Sequence, residues 1–264
     1  MDPSLHILAS GSSGNALVLS REGTHILVDA GISCRRITAS LRTLGLEPGD
    51  LSAVFITHTH TDHIAGVQTL LKRCPAPFYT SRAAGQALAA RIGSVSAHLN
   101  VLEPGQRISI GAWTAAAFPT SHDAPGSCGF RFDEIGILTD TGYVTEEARQ
   151  TLLGCRLLVL EANHDPQMLR SGPYPYALQQ RILGPQGHLS NEAAGAFAVE
   201  AARAGAEEIV LAHLSQENNT PWIALETVER VLEEAGLQLR LSVAPRDTLS
   251  CRYSLYEEEV LCKR

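Results

Sequence analysis

The sequence lacks any apolar run long enough to cross a bilayer, because no stretch of it approaches the roughly 18 uninterrupted apolar residues that a membrane-spanning helix needs. Its N-terminal residues also lack a basic start followed by a long apolar segment, so we expect no signal peptide and a cytoplasmic protein. No two of the six cysteines form a C-x-x-C pair, and without an export signal we expect reduced thiols. The cysteines are Cys34, Cys74, Cys128, Cys155, Cys251 and Cys262.

Positive charge is scarce, because 21 Lys and Arg residues stand against 28 Asp and Glu residues and the formal net charge is −7. This charge balance argues against a protein that binds nucleic acid over its whole surface, but it is compatible with a local basic cleft. Hydrophobic residues make up 44% of the chain and charged residues 19%, which excludes general disorder and indicates a globular protein.

Apolar runs predict strands that come in groups rather than in strict alternation with helices. A helix is predicted over residues 62–72, and the segment 166–187, rich in Pro, Gly and Tyr, is predicted to be irregular. Strands over residues 238–243 and 252–255 are predicted to close the chain. Two β-rich halves that each carry helices, with no linker or repeat between them, predict an α/β protein with a single αββα sandwich over residues 1–264.

The strongest signal is the stretch His58-Thr59-His60-Thr61-Asp62-His63, which directly follows a predicted strand over residues 54–56. His58 and His60 lie two apart in extended chain, so they point the same way and can share one metal ion. Asp62 and His63 follow the turn into a predicted helix, so they can address a second ion. Imidazole and carboxylate ligands suit Zn²⁺, Mn²⁺ or Fe²⁺ rather than a structural thiolate site.

Three further residues of ligand type stand where an apolar run meets a loop. They are His122 after Phe118-Pro119, Asp140 after Ile137-Leu138, and His213 after the predicted strand 209–212. Each alone could be a solvated loop residue or a helix cap. Together with the histidine cluster they predict a centre for two divalent metal ions, Zn or Mn.

These residues, in this order, resemble the metallo-β-lactamase fold superfamily, and the resemblance spans essentially the whole chain. It implies an αββα sandwich in which His58, His60 and His122 hold one ion. Asp62, His63 and His213 would hold the other, and Asp140 would bridge the two. The resemblance also implies that Asp29, in the stretch Leu-Val-Asp-Ala-Gly, lies beside the site and orients the metal-binding side chains without binding an ion itself.

A finer resemblance rests on four stretches: Ser10-Gly11-Ser12-Ser13-Gly14-Asn15, Thr139-Asp140-Thr141-Gly142, Glu161-Ala162-Asn163-His164-Asp165 and Gly187-His188-Leu189-Ser190-Asn191. They are similar to the bacterial YycJ/WalJ-type family, which implies a metal-dependent 5′–3′ DNA exonuclease. Asp140 and the missing export signal argue against a true β-lactamase. The 73-residue interval from Asp140 to His213 is too short for the β-CASP insertion of larger nucleases.

Phosphodiester cleavage needs a proton donor for the departing sugar oxygen as well as a metal-activated water. We expect His188 to be this general acid and Glu161 to orient it, with Asp62 as a further catalytic residue. His188 could instead simply neighbour a helix cap at Ser190, and Glu161 could be a strand-end carboxylate paired with an arginine. Candidate substrate-binding residues are Asn15, Arg35, Arg36, His164, Arg170 and Arg181, although His164 fits a turn before Pro166 equally well and most such arginines are solvated.

Other functions share the same ligand pattern. A glyoxalase II-like thioesterase or a lactonase would use all seven ligands but would not need a Glu161–His188 pair. An RNase Z-like RNA-processing nuclease is a further alternative, and so is a metal-binding regulatory or redox module without hydrolytic turnover. DNA is the expected partner, RNA stays open, and the sequence does not fix the metal, the end polarity or the oligomeric state.

Overall fold

Two seven-stranded β-sheets face each other in the computed structural model, which describes residues 3–254. The strands are β1 Ser4–Ala9, β2 Ala16–Arg21, β3 Thr24–Val28, β4 Leu51–Phe55, β5 Phe78–Thr80, β6 Leu99–Val101, β7 Arg107–Ile110, β8 Trp113–Pro119, β9 Cys128–Phe132, β10 Ile135–Leu138, β11 Leu157–Glu161, β12 Glu208–Ala212, β13 Arg240–Val243 and β14 Tyr253–Ser254. Their order is β14-β1-β2-β3-β4-β5-β6 in the first sheet and β13-β12-β11-β10-β9-β8-β7 in the second.

Helices cover the outer faces of both sheets. The helices between residues 3 and 254 are α1 Cys34–Thr43, α2 Thr61–Ile64, α3 Val67–Leu70, α4 Arg82–Arg91, α5 Glu146–Leu152, α6 Pro166–Ser171, α7 Tyr176–Leu183, α8 Asn191–Arg203 and α9 Pro221–Glu234, of which α2, α6 and α7 lie in loops at the site edge. The packing of α1 is typical: the Ser33 hydroxyl caps its N-terminus, and Ile37 and Leu41 on one face are buried against the first sheet. Ala198 of α8 and Val228 of α9 are buried in the corresponding layer over the second sheet. The predicted αββα sandwich is thereby confirmed.

The inner faces of the two sheets form a common apolar core. Phe55 of β4 meets Phe130 and Phe132 of β9 edge to face, with ring centroids 5.1 and 5.0 Å apart. Trp113 of β8 is buried in the same cluster. This core fixes the two sheets relative to each other, so residues at their edges are held on a rigid base.

Strand direction determines where a site can form. Strands β3 to β6 run parallel in the first sheet, and β10 to β13 run parallel in the second. The carboxyl ends of parallel strands meet at one edge of a sheet, and the loops that leave this edge commonly carry the functional residues. The ligand-type residues named above follow β3, β4, β8, β10 and β12, and Glu161 ends β11.

The predicted helix over residues 62–72 was wrong, because the chain forms α2 and α3 with a break between them. At the break the Gly66 backbone N–H donates to the Ala30 carbonyl at 2.7 Å. A Cβ atom at Gly66 would lie 2.3 Å from the Ile32 carbonyl oxygen, so the glycine permits this close approach. A tertiary contact with the loop after β3 therefore overrides the local helical pattern.

The prediction of an irregular segment over residues 166–187 was also wrong, because this segment contains α6 and α7. Pro166 occupies the first turn of α6, and the Asp165 carboxylate accepts from the Met168 backbone N–H at 2.7 Å. Pro175 immediately precedes α7. The prolines that suggested irregular chain therefore stand at the starts of helices.

The remaining expectations lie close to the observed elements. The last two predicted strands are shorter in the structure, and Leu255 and Cys262 lie outside the described residues. Cys34, Cys74, Cys128 and Cys155 are buried free thiols, and Cys251 is exposed. Between residues 3 and 254, no helix combines the length and the apolar character that a bilayer crossing requires.

Candidate metal centre

Three strand ends turn their side chains into the site through unusual backbone geometry. Asp29, Asp140 and His213 follow β3, β10 and β12, and their φ angles are 58°, 57° and 55°. This left-handed region is uncommon for residues other than glycine, and such strain costs about 1–3 kcal/mol when the surroundings enforce it. Backbone strain of this kind clusters at functional sites, and here it coincides with three residues that the sequence marked.

His58, His60 and His122 form the first group of potential ligands. Their ring nitrogens lie within 4.8 Å of one another. His60 Nδ1 faces His122 Nε2 across 3.2 Å. Two nitrogen ligands of a tetrahedral zinc ion would be separated by about 3.3 Å, since each Zn–N distance is about 2.0–2.1 Å. This spacing therefore fits two ligands of one ion.

Asp62, His63 and His213 form the second group. The Oδ2 atom of Asp62 lies 3.5 Å from Nε2 of His63 and 3.5 Å from Nε2 of His213. Asp140 stands between the two groups, since its Oδ2 is 3.2 Å from Nε2 of His63 and its Oδ1 is 3.8 Å from Nε2 of His122.

Several inward-facing atoms of these groups are buried and have no hydrogen-bond partner. His58 Nε2, Asp140 Oδ2 and His213 Nε2 are the buried polar atoms in question. Buried polar atoms are nearly always hydrogen-bonded, so three such atoms at one centre call for a ligand. Imidazole nitrogens and carboxylate oxygens are the donors that a divalent transition-metal ion prefers. The donor set therefore fits divalent metal binding.

The outward-facing nitrogens of the histidines are held by oxygen atoms. Asp29 Oδ2 lies 2.7 Å from His63 Nδ1, and Glu161 Oε1 lies 3.0 Å from His213 Nδ1. The Thr57 hydroxyl is 3.1 Å from His58 Nδ1, and the Gly187 carbonyl accepts from His122 Nδ1 at 3.1 Å. Contacts of this kind fix the orientation and tautomer of metal-binding imidazoles.

Asp123 completes this pattern, and sequence reasoning missed it. Its Oδ1 lies 3.4 Å from His60 Nε2 and 3.5 Å from His122 Nε2. Arg181 holds the same carboxylate through contacts of 2.7 and 2.6 Å. The one available signal was its position directly after His122. Thr57 and the Gly187 carbonyl were missed too, since a hydroxyl and a backbone oxygen carry no ligand signature.

The ionisable side chains of the site shift one another's pKa values. Burial opposes protonation of His213, but Asp140, Asp62 and Glu161 outweigh burial and raise its pKa to about 10. Burial also opposes ionisation of Asp140, yet the neighbouring imidazoles hold its pKa well below the usual range. By contrast, burial lowers the pKa of His58, which has other histidines as neighbours. The carboxylates therefore favour positive charge at the point where Asp62, His63 and His213 converge.

Glu161 and His188 lie together as the sequence predicted, although Glu161 has more than one partner. His188 Nδ1 is 2.7 Å from Glu161 Oε1, and the same oxygen is 3.0 Å from His213 Nδ1. Backbone N–H groups of Thr141 and Leu189 donate to Oε2. Burial opposes ionisation of Glu161, but the charge and hydrogen bond of His188 and the hydrogen bond from His213 lower its pKa to about 2. Glu161 therefore orients both the proposed acid and a proposed metal ligand.

The six candidate substrate-binding residues have different surroundings. Asn15 is buried, and its amide contacts Gly11, Asp62 and His63, so its hydrogen-bonding capacity is already used within the centre. His164 is buried as well, with an unpartnered Nδ1 atom, and burial lowers its pKa to about 4. For these two residues substrate contact stays a prediction.

The four arginines all reach the surface. Arg35 and Arg170 are exposed, whereas Arg36 is half-buried and its guanidinium donates to the Asp247 carbonyl at 3.1 Å. Arg181 is the arginine that the structure ties to the metal centre, through Asp123. Their contact with nucleic acid stays a prediction.

Comparisons with known proteins agree with the observed fold. Residues 24–214 match the family model described as the beta-lactamase superfamily domain. The chain belongs to this superfamily. It is 37% identical to exodeoxyribonuclease WalJ of Streptococcus pneumoniae serotype 2, over 92% of this chain and 93% of the relative. It is 33% identical to exodeoxyribonuclease YycJ of Bacillus anthracis, over 92% of this chain and 94% of the relative, so it is a member of the WalJ/YycJ family within the superfamily.

Other similarities are weaker or partial. Ribonuclease Z of Treponema pallidum is 46% identical over 56 residues, which is 21% of this chain. Among solved structures, the metallo-beta-lactamase fold protein YhfI of Bacillus subtilis superposes with a TM-score of 0.69 at 17% identity, covering 95% of this chain and 99% of that one. The latter likeness supports the fold alone.

Proposed function

We propose that the protein is a divalent metal-dependent phosphodiesterase that degrades DNA from its ends as a 5′–3′ exonuclease. The observation that carries the proposal is the similarity to two exodeoxyribonucleases over 92% of a chain whose buried ligand groups lie beside the Glu161–His188 pair. A thioesterase or lactonase on this fold would have no need of that pair.

Two ions would be held by the residues of the two groups. His58, His60 and His122 would bind one, Asp62, His63 and His213 would bind the other, and Asp140 lies between them. Two divalent ions in such a site activate water and stabilise the charge that develops at phosphorus during an in-line displacement. Asp29, Asp123 and Glu161 would keep the imidazole rings oriented for this purpose.

The protein's own contribution to bond cleavage would be a proton. Nδ1 of His188 is engaged by Glu161, so Nε2 is the ring nitrogen left to serve the substrate. A sugar alkoxide is a poor leaving group, and a proton delivered from Nε2 allows it to depart as an alcohol. The imidazole is only about one-fifth exposed, so bulk water has limited access to it.

The test is digestion of end-labelled nucleic acid by the purified protein. Single- and double-stranded DNA and RNA, each labelled at the 5′ or 3′ end, are incubated with Mn²⁺, Zn²⁺ or a chelator. We expect metal-dependent release of mononucleotides from the 5′ end of DNA. No cleavage of DNA with either metal would refute the proposal. Cleavage of RNA alone would favour the ribonuclease alternative, for which the partial similarity to ribonuclease Z is the supporting observation.

A further inference from the structure

Within residues 3–254 large apolar side chains are rarely exposed, and most of the exceptions are aromatic. Within residues 3–254 the exposed examples are Val101, Tyr143, Tyr176 and Trp222, and the aromatic rings are 52%, 75% and 67% exposed. The three aromatic residues lie in the connections that leave β10, β11 and β12. Those connections leave the same sheet edge as Asp140, Glu161 and His213. Exposed aromatic residues therefore gather on the side of the molecule that carries the metal centre.

Backbone contacts place these aromatic residues around one segment, residues 166–187, which we call the strap. At the C-terminal end of the strap, a Cβ atom at Gly142 would be 2.2 Å from the Pro185 carbonyl oxygen, so Tyr143 adjoins this end. Tyr176 belongs to the strap as the first residue of α7. Near its start, the Asp165 N–H donates to the Asn218 carbonyl at 2.9 Å, and Asn218 lies four residues before Trp222.

The strap is fastened to the metal centre. The Ser121 hydroxyl donates to the Pro185 carbonyl at 2.7 Å, and the Gly187 carbonyl accepts from His122 Nδ1. Arg181 of α7 holds Asp123, which faces His60. Tyr176 precedes Arg181 by five residues in one helix, so the two lie about 7–8 Å apart along the helix axis. None of the residues of α7 is fully buried.

We propose that Tyr143, Tyr176 and Trp222 form a stacking surface for the bases of a single strand of nucleic acid that enters the metal centre. The proposal rests on the nuclease function and deepens it by naming the single strand as the form that binds. Aromatic rings stack on the faces of bases whatever the sequence, and a duplex hides those faces. Arg170, exposed on the strap, adds positive charge for the phosphates, whereas Arg181 is already paired with Asp123. Because the protein is acidic overall, stacking would supply attraction that its net charge does not.

Tryptophan fluorescence tests the proposal directly, because the chain has only two tryptophans. Trp113 is buried between the sheets and Trp222 is exposed, so quenching by a bound strand reports on Trp222. The metal-loaded protein is titrated with a phosphorothioate oligothymidylate that resists cleavage. We expect saturable quenching that the Trp222→Phe variant abolishes. An abasic strand of equal charge and a blunt duplex should give little quenching.

Affinity of the variants provides the second readout, measured by anisotropy of a labelled strand. Loss of one stacking ring is expected to weaken single-strand binding by roughly 5- to 150-fold. Tyr176→Ala and Trp222→Ala should both show this loss, whereas Val101→Ala, which shortens a large apolar side chain that is exposed elsewhere on the described surface, should not. Equal quenching by the abasic strand, or unchanged affinity in both aromatic variants, would overturn the proposal.

The outcome is separable from that of the nuclease function. If the wild-type protein digests single strands and the aromatic variants digest them with unchanged KM, the stacking surface is refuted and the nuclease function stands. If base-dependent quenching occurs but no nucleic acid is cleaved, the stacking surface stands and the nuclease function fails. If the variants instead change only the oligomeric state in light scattering, the rings contact a second copy of the chain, which also overturns the proposal.

Discussion

Replacing His188 with alanine separates proton transfer from metal binding. The imidazole contacts Glu161 at 2.7 Å and lies 3.6 Å from Asp140, but it belongs to neither group of three that we assign to an ion. We expect His188→Ala to slow cleavage of ordinary DNA by about 10²–10⁴-fold, the range of a positioned general acid. Metal content should stay the same, because His58, His60 and His122 on one side and Asp62, His63 and His213 on the other are untouched.

The assay compares two leaving groups. In ordinary DNA the 3′-oxygen of the terminal nucleotide leaves as an alcohol that needs a proton, whereas p-nitrophenolate departs from thymidine 5′-p-nitrophenyl phosphate without one. We therefore expect the His188→Ala defect to shrink strongly on the p-nitrophenyl substrate. Elemental analysis of the same samples reports the metal content. His98→Ala, which removes a histidine distant from the ligand groups in the fold, is the matched control and should retain full activity.

Two results would refute this reasoning. An equal loss of kcat on both substrates would indicate that His188 positions the phosphate rather than protonating the leaving group. A loss of metal would indicate that it is a ligand. Glu161→Gln cannot replace this experiment, because Glu161 also contacts His213 Nδ1 at 3.0 Å and its removal should disturb both functions at once.

Three further predictions use other parts of the centre. Asp123→Asn should weaken metal affinity about 10- to 100-fold in competition with a chromophoric chelator, and unchanged affinity would show that Asp123 does not orient His60. Gly31→Ala should reduce metal content and thermal stability because its Cβ would lie 1.6 Å from the Asp62 carbonyl oxygen, whereas Gly49→Ala, which has open space, should match wild type in both measurements. Burial lowers the pKa of His164 to about 4 in the folded protein, so the unfolded chain takes up this proton first and stability is lost as pH falls from about 6.5 to 4. Urea unfolding at pH 7 and pH 4 should therefore show about 3 kcal/mol less acid destabilisation in His164→Gln than in wild type, and an identical pH dependence would contradict the burial argument.

The fold and the ligand groups were predictable because their signals are local and repeated. His58, His60, Asp62 and His63 fall within six consecutive positions, and an apolar run before each outlying ligand marks it as a strand end. Parallel strands bring such ends to one edge. A pattern of this kind needs no knowledge of tertiary contacts, only of strand direction.

The features that escaped prediction depend on contacts made elsewhere in the chain. Gly66 interrupts a helical pattern because it packs against the Ala30 carbonyl, a contact across 36 residues of sequence. Asp123 acts between His60 and Arg181, which come from different parts of the fold. Pro166 and Pro175 carry a signal that fits a loop and a helix start equally well, and the prediction of an irregular segment took the loop alternative, which was wrong.

The centre is assembled from two halves, one on each sheet. The first sheet contributes Asp29 after β3 and the histidine cluster after β4, and the second contributes His122, Asp140, Glu161 and His213. Neither half forms a complete set, since His63 of the first lies against Asp140 and His213 of the second lies against Asp62. The φ strain at Asp29, Asp140 and His213 is also distributed over both sheets, so it persists only while the inter-sheet core holds the two edges in register. The site therefore depends on the aromatic core at Phe55, Phe130 and Phe132. This core sets the distance between the two sheets, and that distance decides whether ligands from both sheets can bind the same ions.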